Sequence, residues 1–239
     1  MTVDTATGSL ALIIGSGGGL GAALLARLQG DASCEKAIGL SRGSQVSVNY
    51  LDEASLAQAA QSIASVCSSE NLQLRLLIVA TGFLHGEPGQ PERSFTNLDA
   101  AYLDHVFKIN ALGPALVMKH FLPLLPKTGR CLAGFISAKV GSIGDNALGG
   151  WYGYRASKAA LNQLVKTAAI ELTRRNKQSV CVSLHPGTVD TPLSQPFAKT
   201  GLTVRPADAA ASELLQVIRC LTPANTGALI DSQGQTLPF

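Results

Sequence analysis

Charge and aromatic rings are both scarce in this 239-residue sequence: Asp, Glu, Lys and Arg make up 15 % of it and Phe, Trp and Tyr 5 %. A soluble domain ordinarily carries about 25 % charged residues, so the charges here are sparse. Nineteen basic residues against 16 acidic ones leave a net charge of +3, with no dense run of Lys or Arg to mark a nucleic-acid footprint. Apolar runs long enough to cross a membrane are missing as well. The N-terminal MTVDTATGS holds an acid and no base, and the ALIIG that follows is too short for a signal or membrane segment. Paired metal-ligand spacings are absent among the five cysteines and four histidines, so no metal is expected. Scattered thiols suit a reducing cytoplasm, and Cys131 and Cys181 stand in strand-like stretches where a small buried side chain belongs. The GxSxG elbow of hydrolases does not occur.

What is present is apolar bulk, 46 % of residues, enough for a core without disulfides or metal. Its pattern alternates strand and helix. Leu10 to Ile14 reads as a strand ended by glycines, and Gly21 to Leu28 as a helix. Short extended segments follow at Ala37 to Leu40 and Val46 to Asn49, then a helix from Glu53 to Ser65 opened by Asp52 as its cap. LRLLIVAT, 74 to 81, is a continuous apolar run of the kind buried on both faces of a parallel sheet. Helices over 98 to 114 and 115 to 125, a strand over 131 to 137, a helix from Gly153 to Arg174 and a strand over 179 to 185 continue the rhythm. A helix from Asp208 to Leu221 and a short strand GALI, 227 to 230, complete it. Six or seven strands alternating with helices predict one α/β domain over 1–239, a doubly wound Rossmann-type parallel sheet covered on both faces.

GSGGGLG, residues 15 to 21, leaves the first strand and opens the first helix. Glycines there permit a tight turn, close approach of a pyrophosphate to the amides, and close packing of helix on sheet. Gly15, Ser16, Gly17, Gly18, Gly19, Leu20 and Gly21 are therefore candidate cofactor-binding residues. After the second strand the sequence reads GLSRGS, with no acid to accept from a ribose diol. Arg42, helped by Ser41 or Ser44, matches a 2′-phosphate instead, which favours NADP(H) over NAD(H). Tyr154 and Lys158 stand four residues apart, so one helix face presents both. An ammonium beside a phenol with a reference pKa of about 10 favours its ionisation, and such a tyrosine can exchange a proton with a carbonyl oxygen.

Taken together, the glycine cluster, the Tyr154/Lys158 pair and HPGTVDTP at 185 to 192 resemble the short-chain dehydrogenase/reductase superfamily over nearly the whole chain. The run GSIGDNALGGWYGYRASKAALN and the ending LTPANTGALIDSQGQTLPF are similar to its C-factor and sniffer-type carbonyl reductase subgroup. The resemblance implies an NADP-dependent oxidoreductase that moves a hydride between nicotinamide and a carbonyl or alcohol substrate. It makes Tyr154 the proton donor or acceptor, Lys158 the ribose-binding residue, and Asn110 the residue that holds a relay water through its helix. It also places Ala80, Thr81 and Gly82 beside the adenosine ribose, although Val79 and Ala80 replace the usual asparagines. Asn49 falls where an aspartate commonly contacts adenine, and Pro186, Gly187, Thr188 and Val189 border the nicotinamide. The segment ISAKVG puts Ala138 at the position of the expected catalytic serine. Ser137 is taken as its stand-in, with Ser142 and no hydroxyl at all as the other outcomes.

Phe83, Leu84, Trp151 and Tyr152 fall in loops that could border the substrate, and Leu193 to Leu202, with Phe197, could form a cover. The long helices around 98 to 125 and 153 to 174 resemble the elements that pair copies in this family, which implies a homodimer or homotetramer. A second functional class stays open beside the enzyme: a nucleotide-binding signalling or regulatory protein on the same fold with little chemistry, a reading that Ala138 keeps alive.

Overall fold

A computed structural model describes residues 8–197 and 203–239. Its main sheet forms from the segments with no polar face to show. Every residue of β1 (Ser9–Ile14) is buried, as is nearly all of β3 (Gln73–Val79), β4 (Cys131–Ile136) and β5 (Ser179–His185). With β2 (Lys36–Leu40), β8 (Leu229–Asp231) and β9 (Thr236–Leu237) they make a seven-stranded sheet in the order β2-β1-β3-β4-β5-β8-β9. The first six strands are parallel, and β9 adds an antiparallel edge that the sequence reading did not contain. The chain runs outward from β1 to β2, then crosses back to place β3 on the other side of β1, creating the switch point at which such sheets open a crevice.

Side chains alternate between the faces, and two helical layers take them up. Leu12, Leu77 and Phe135 pack under α2 (Glu53–Ser69), α4 (Gly113–Phe121) and α5 (Tyr152–Arg175). Ile13, Ile78 and Val182 pack under α1 (Gly19–Gln29) and α6 (Ala207–Cys220). Asp52 caps α2 as expected, its carboxylate accepting the Ala54 N–H at 3.0 Å, a contact that contributes about 1 kcal/mol. Cys131 and Cys181 are buried in their strands, whereas Cys220 is exposed, so packing does not account for that thiol.

Two expected elements differ. Residues 46–49 form no strand: Ser47 makes a single parallel bridge to Ser41. A parallel neighbour needs a crossover of about a dozen residues, and the link from Leu40 to Ser47 is far shorter. The two helices expected over 98–125 are one continuous helix in which α3 (Ala100–Phe107) and α4 are joined by a π-helical stretch, Lys108–Leu112. A small two-stranded sheet, β6 (Thr188–Asp190) with β7 (Val204–Pro206), lies beyond the end of β5.

Candidate active site

The carboxyl ends of β1, β3, β4 and β5 surround a cleft of about 450 Å³. Gly17 to Leu20 form one wall, Ala80 to Gly82 and Ser137 to Val140 the floor, and Tyr154 and Lys158 enter from α5. His185 to Val189, Thr191 to Ser194 and Phe197 close the far side. The glycines of the first turn divide their labour. Gly15 has φ +95°, and a Cβ on Gly21 would stand 2.2 Å from the Gly15 carbonyl oxygen, so these two permit the turn and the close seat of α1. Gly17, Gly18, Gly19 and Leu20 are the residues of the turn that face the cleft. No side chain caps α1, so its first N–H groups are left for a ligand. Ser16 sits instead against Gly39 of β2.

Tyr154 and Lys158 are both buried, 7 % and 2 % exposed. The Lys158 ammonium donates to the Ile136 carbonyl at 2.9 Å and lies 5.8 Å from the centre of the Tyr154 ring. Burial pushes the Tyr154 phenol up to about 12 and the Lys158 ammonium down to about 8. The expected downward shift of the Tyr154 phenol by Lys158 is therefore corrected: loss of solvent governs both groups.

The strand end that leads into the cleft carries Ser137, which lines it and donates to Asn162 Oδ1 at 2.7 Å. Asn162 lies one turn beyond Lys158 on α5 and its Nδ2 has no partner among the described residues. Ala138 also lines the cleft. Ser142 does not, because its Oγ accepts the Asp145 N–H at 3.1 Å within a separate turn. Asn110, in the π-helical stretch, exchanges two hydrogen bonds with the Phe83 backbone, at 2.8 and 2.9 Å, and donates to Ser157 Oγ at 3.0 Å. Ser157 in turn donates to the Tyr154 carbonyl at 2.9 Å. One amide thus ties the loop after β3 to the helix that bears the tyrosine.

The loop after β2 is ordered by its own serines. Ser44 Oγ accepts the Ser41 N–H at 2.8 Å, and Ser41 Oγ accepts the Gly43 N–H at 3.2 Å. Ser41 stands beside Gly17, while Arg42 is exposed and is not among the residues that line the cleft. Asn49 lies off the cleft walls, its Oδ1 accepting the Leu51 N–H at 3.0 Å.

Apolar residues form the outer chamber. Trp151 meets Tyr154 edge-on with centroids 6.1 Å apart and Phe197 at 5.1 Å, and Leu84 and Leu193 complete the wall. Phe83 turns instead toward Tyr102 and His105, and Tyr152 is exposed. His85 reaches the Pro192 carbonyl at 2.9 Å, linking the loop after β3 to the segment carrying Phe197. Of the expected cover, residues 198–202 lie outside the described residues. His185, which the sequence reading left aside, lines the cleft with its Nδ1 unpartnered, and burial lowers its pKa to about 4. Asn162 was equally missed, although its spacing from Lys158 was a usable signal.

A dinucleotide fits these features. The open first turn of α1 and the glycine wall provide a phosphate cradle, and the unpartnered His185 Nδ1 marks an unmet polar contact in the cleft.

A family model described as enoyl-(acyl carrier protein) reductase matches residues 20–229. The C-signal protein of Myxococcus xanthus is 36 % identical over 143 residues, which are 60 % of this chain and 82 % of that protein. Carbonyl reductase Sniffer of D. melanogaster superposes with a TM-score of 0.83 at 22 % identity, covering 98 % of this chain and 100 % of that one. The NADPH-bound carbonyl reductase from chicken fatty liver gives a TM-score of 0.82 at 22 % identity, covering 97 % and 94 %. At that identity the two structures speak to the fold.

Proposed function

Because this chain belongs to the short-chain dehydrogenase/reductase superfamily, we propose that it is an NADP(H)-dependent oxidoreductase acting on a small-molecule carbonyl or alcohol. The observation that carries this reading is the meeting, in one cleft, of an uncapped helix N-terminus, a buried phenol and a buried ammonium. NADPH, when bound, supplies the hydride. The amides of Gly17 to Leu20 would hold its pyrophosphate, Ser41 and Arg42 its 2′-phosphate, and Asn49, Ala80, Thr81 and Gly82 its adenosine half. Lys158 and Pro186 to Val189 would hold the nicotinamide riboside. Tyr154 donates its proton to the substrate oxygen as charge develops there, and Lys158 neutralises the phenolate left behind. Ser137 faces the same space as a second hydroxyl, and Asn110 would hold the water from which the tyrosine regains its proton. The walls of Leu84, Trp151, Leu193 and Phe197 suit a mostly apolar carbonyl compound.

Arg42 separates the two nicotinamide cofactors. Arg42→Ala is expected to weaken NADPH binding by about 10- to 100-fold, the worth of a charge-assisted hydrogen bond, while leaving NADH affinity nearly unchanged. Titration followed by nicotinamide fluorescence measures both; equal losses for the two cofactors would remove Arg42 from the 2′-phosphate site.

The assembly we assign is a homodimer or homotetramer, supported by the exposed apolar side chains Phe107, Leu112 and Ile170 on the α3–α4 helix and α5. Light scattering should give two or four times the mass of one chain, and a monomer at micromolar concentration speaks against it. The five unbridged thiols suit the cytoplasm, the compartment this reading takes. Among the described residues no helix is long and apolar enough to cross a membrane.

A regulatory role without turnover is the second reading, favoured by Ala138 at the expected serine position. On that reading, a biological effect survives Tyr154→Phe.

A further inference from the structure

The helix that carries Tyr154 begins without any capping group of its own. Its N-cap is Trp151, whose indole accepts no hydrogen bond, and no acid stands in its first turn. The approach is strained. Gly149, Gly150 and Trp151 take φ values of +64°, +65° and +53° in succession, and tryptophan is a residue that rarely adopts such a backbone. Something outside α5 must hold this entry.

Glu92 does so from the loop between β3 and α3. It is 3 % exposed, a depth at which an acid is rare unless it is paired. Both carboxylate oxygens accept the Gly153 N–H, at 3.2 and 3.1 Å, and its backbone carbonyl accepts the Trp151 N–H at 2.5 Å. The carboxyl group thus fills the place of a side-chain cap at the positive end of the helix dipole. Gly153 lets it approach: a Cβ there would stand 3.1 Å from Glu92 Oε1 and 2.9 Å from Leu103. Arg155 braces the other side of the entry, donating to the carbonyls of Gly150 and Gly149 at 3.0 and 3.1 Å.

We propose that Glu92 is a positioning residue for Tyr154, fixing the rotation and axial place of the first turn of α5 from a loop 61 residues away. The inference rests on the reading of Tyr154 as the proton donor. Glu92 touches neither the cleft nor the reacting atoms; it acts through the backbone of Gly153, the residue next to the tyrosine. A proton donor displaced by about 1 Å can lose on the order of 100-fold in rate, so a loosened first turn costs turnover before it costs cofactor binding.

The test compares Glu92→Ala and Glu92→Gln with the parent in the full chain. Amide hydrogen exchange reads the anchor itself. In Glu92→Ala the amides of residues 151–154 should exchange at least about tenfold faster, while those of 161–172 keep their protection. Glu92→Gln, which retains an acceptor oxygen, should restore most of it. Turnover reads the consequence: kcat falls about 10- to 100-fold in Glu92→Ala, with the NADPH Kd held within about twofold. Unchanged exchange at 151–154 in both variants overturns the proposal, as does kcat within about twofold of the parent despite faster exchange. A parent without turnover on any carbonyl tried instead fails the enzyme reading, and the exchange arm still decides whether Glu92 anchors the helix.

Discussion

Tyr154→Phe is expected to lower carbonyl turnover by about 10²- to 10⁴-fold, the range of a lost general acid, and to leave NADPH affinity within about twofold. The substitution removes one oxygen and little else. The phenyl ring keeps its edge-on contact with Trp151 and its place among Leu84, Tyr102 and Val106. The Tyr154 pKa of about 12 sharpens the expectation, since at neutral pH the parent is wholly in the proton-donating form and has the full effect to lose. Steady-state kinetics beside a fluorescence titration is the measurement. A variant that retains more than about a tenth of the parent rate would assign the proton to another group.

Lys158→Met should separate stability from function. A cation 2 % exposed with one carbonyl partner is costly to bury, and an apolar side chain of similar length removes that cost. The cofactor-free protein is therefore expected to melt at a higher temperature in the variant, while NADPH binding and turnover collapse. The pH dependence has a definite sign. The Lys158 pKa falls from 10.5 to about 8 on folding, so between those values the unfolded chain binds more protons than the native one. Rising pH then relieves the parent. The stability difference is largest below about pH 8 and shrinks as pH climbs toward 10.5, which denaturant titrations across that window will show. In the parent, kcat/KM for NADPH should be flat below about pH 8 and fall above it as the ammonium is lost, with Tyr154 still protonated. A variant less stable than its parent at pH 7 would mean that Lys158 is held by more than its bond to Ile136.

Much of this arrangement could be read directly from residue order. Strands buried on both faces declare themselves as unbroken apolar runs, which is why Leu74 to Val79 and Val180 to Leu184 were placed within a residue or two. Asp52 identified its own helix because a cap acts over two residues. Tyr154 and Lys158 were legible for a similar reason: four positions on a helix fix a shared face. Local patterns fail where the deciding contact is remote. Val46 to Asn49 has the composition of a strand, yet a strand needs a partner, and the short turn before it brings only Ser47 alongside β2. Sequence neighbours also give proximity without burial. The ammonium near Tyr154 was foreseen, whereas the desolvation that outweighs it depends on packing from the whole cleft. Glu92 carried no signal at all, since nothing in QPERS announces the helix end it reaches.

The π-helical stretch at Lys108–Leu112 has a consequence for how this chain can change length. It fits one residue more into its turn than an α-helix would. Losing a single codon there would restore regular winding and leave the segments on either side in nearly the same rotation, because the wider turn is what absorbs the extra residue. Tyr102 and Val106 before the stretch and Val117 and Phe121 after it are all buried, and both faces could keep their footing after such a loss. What the extra residue serves is Asn110, in the middle of the stretch, whose amide meets the backbone of Phe83; a change of length there would disturb that contact first.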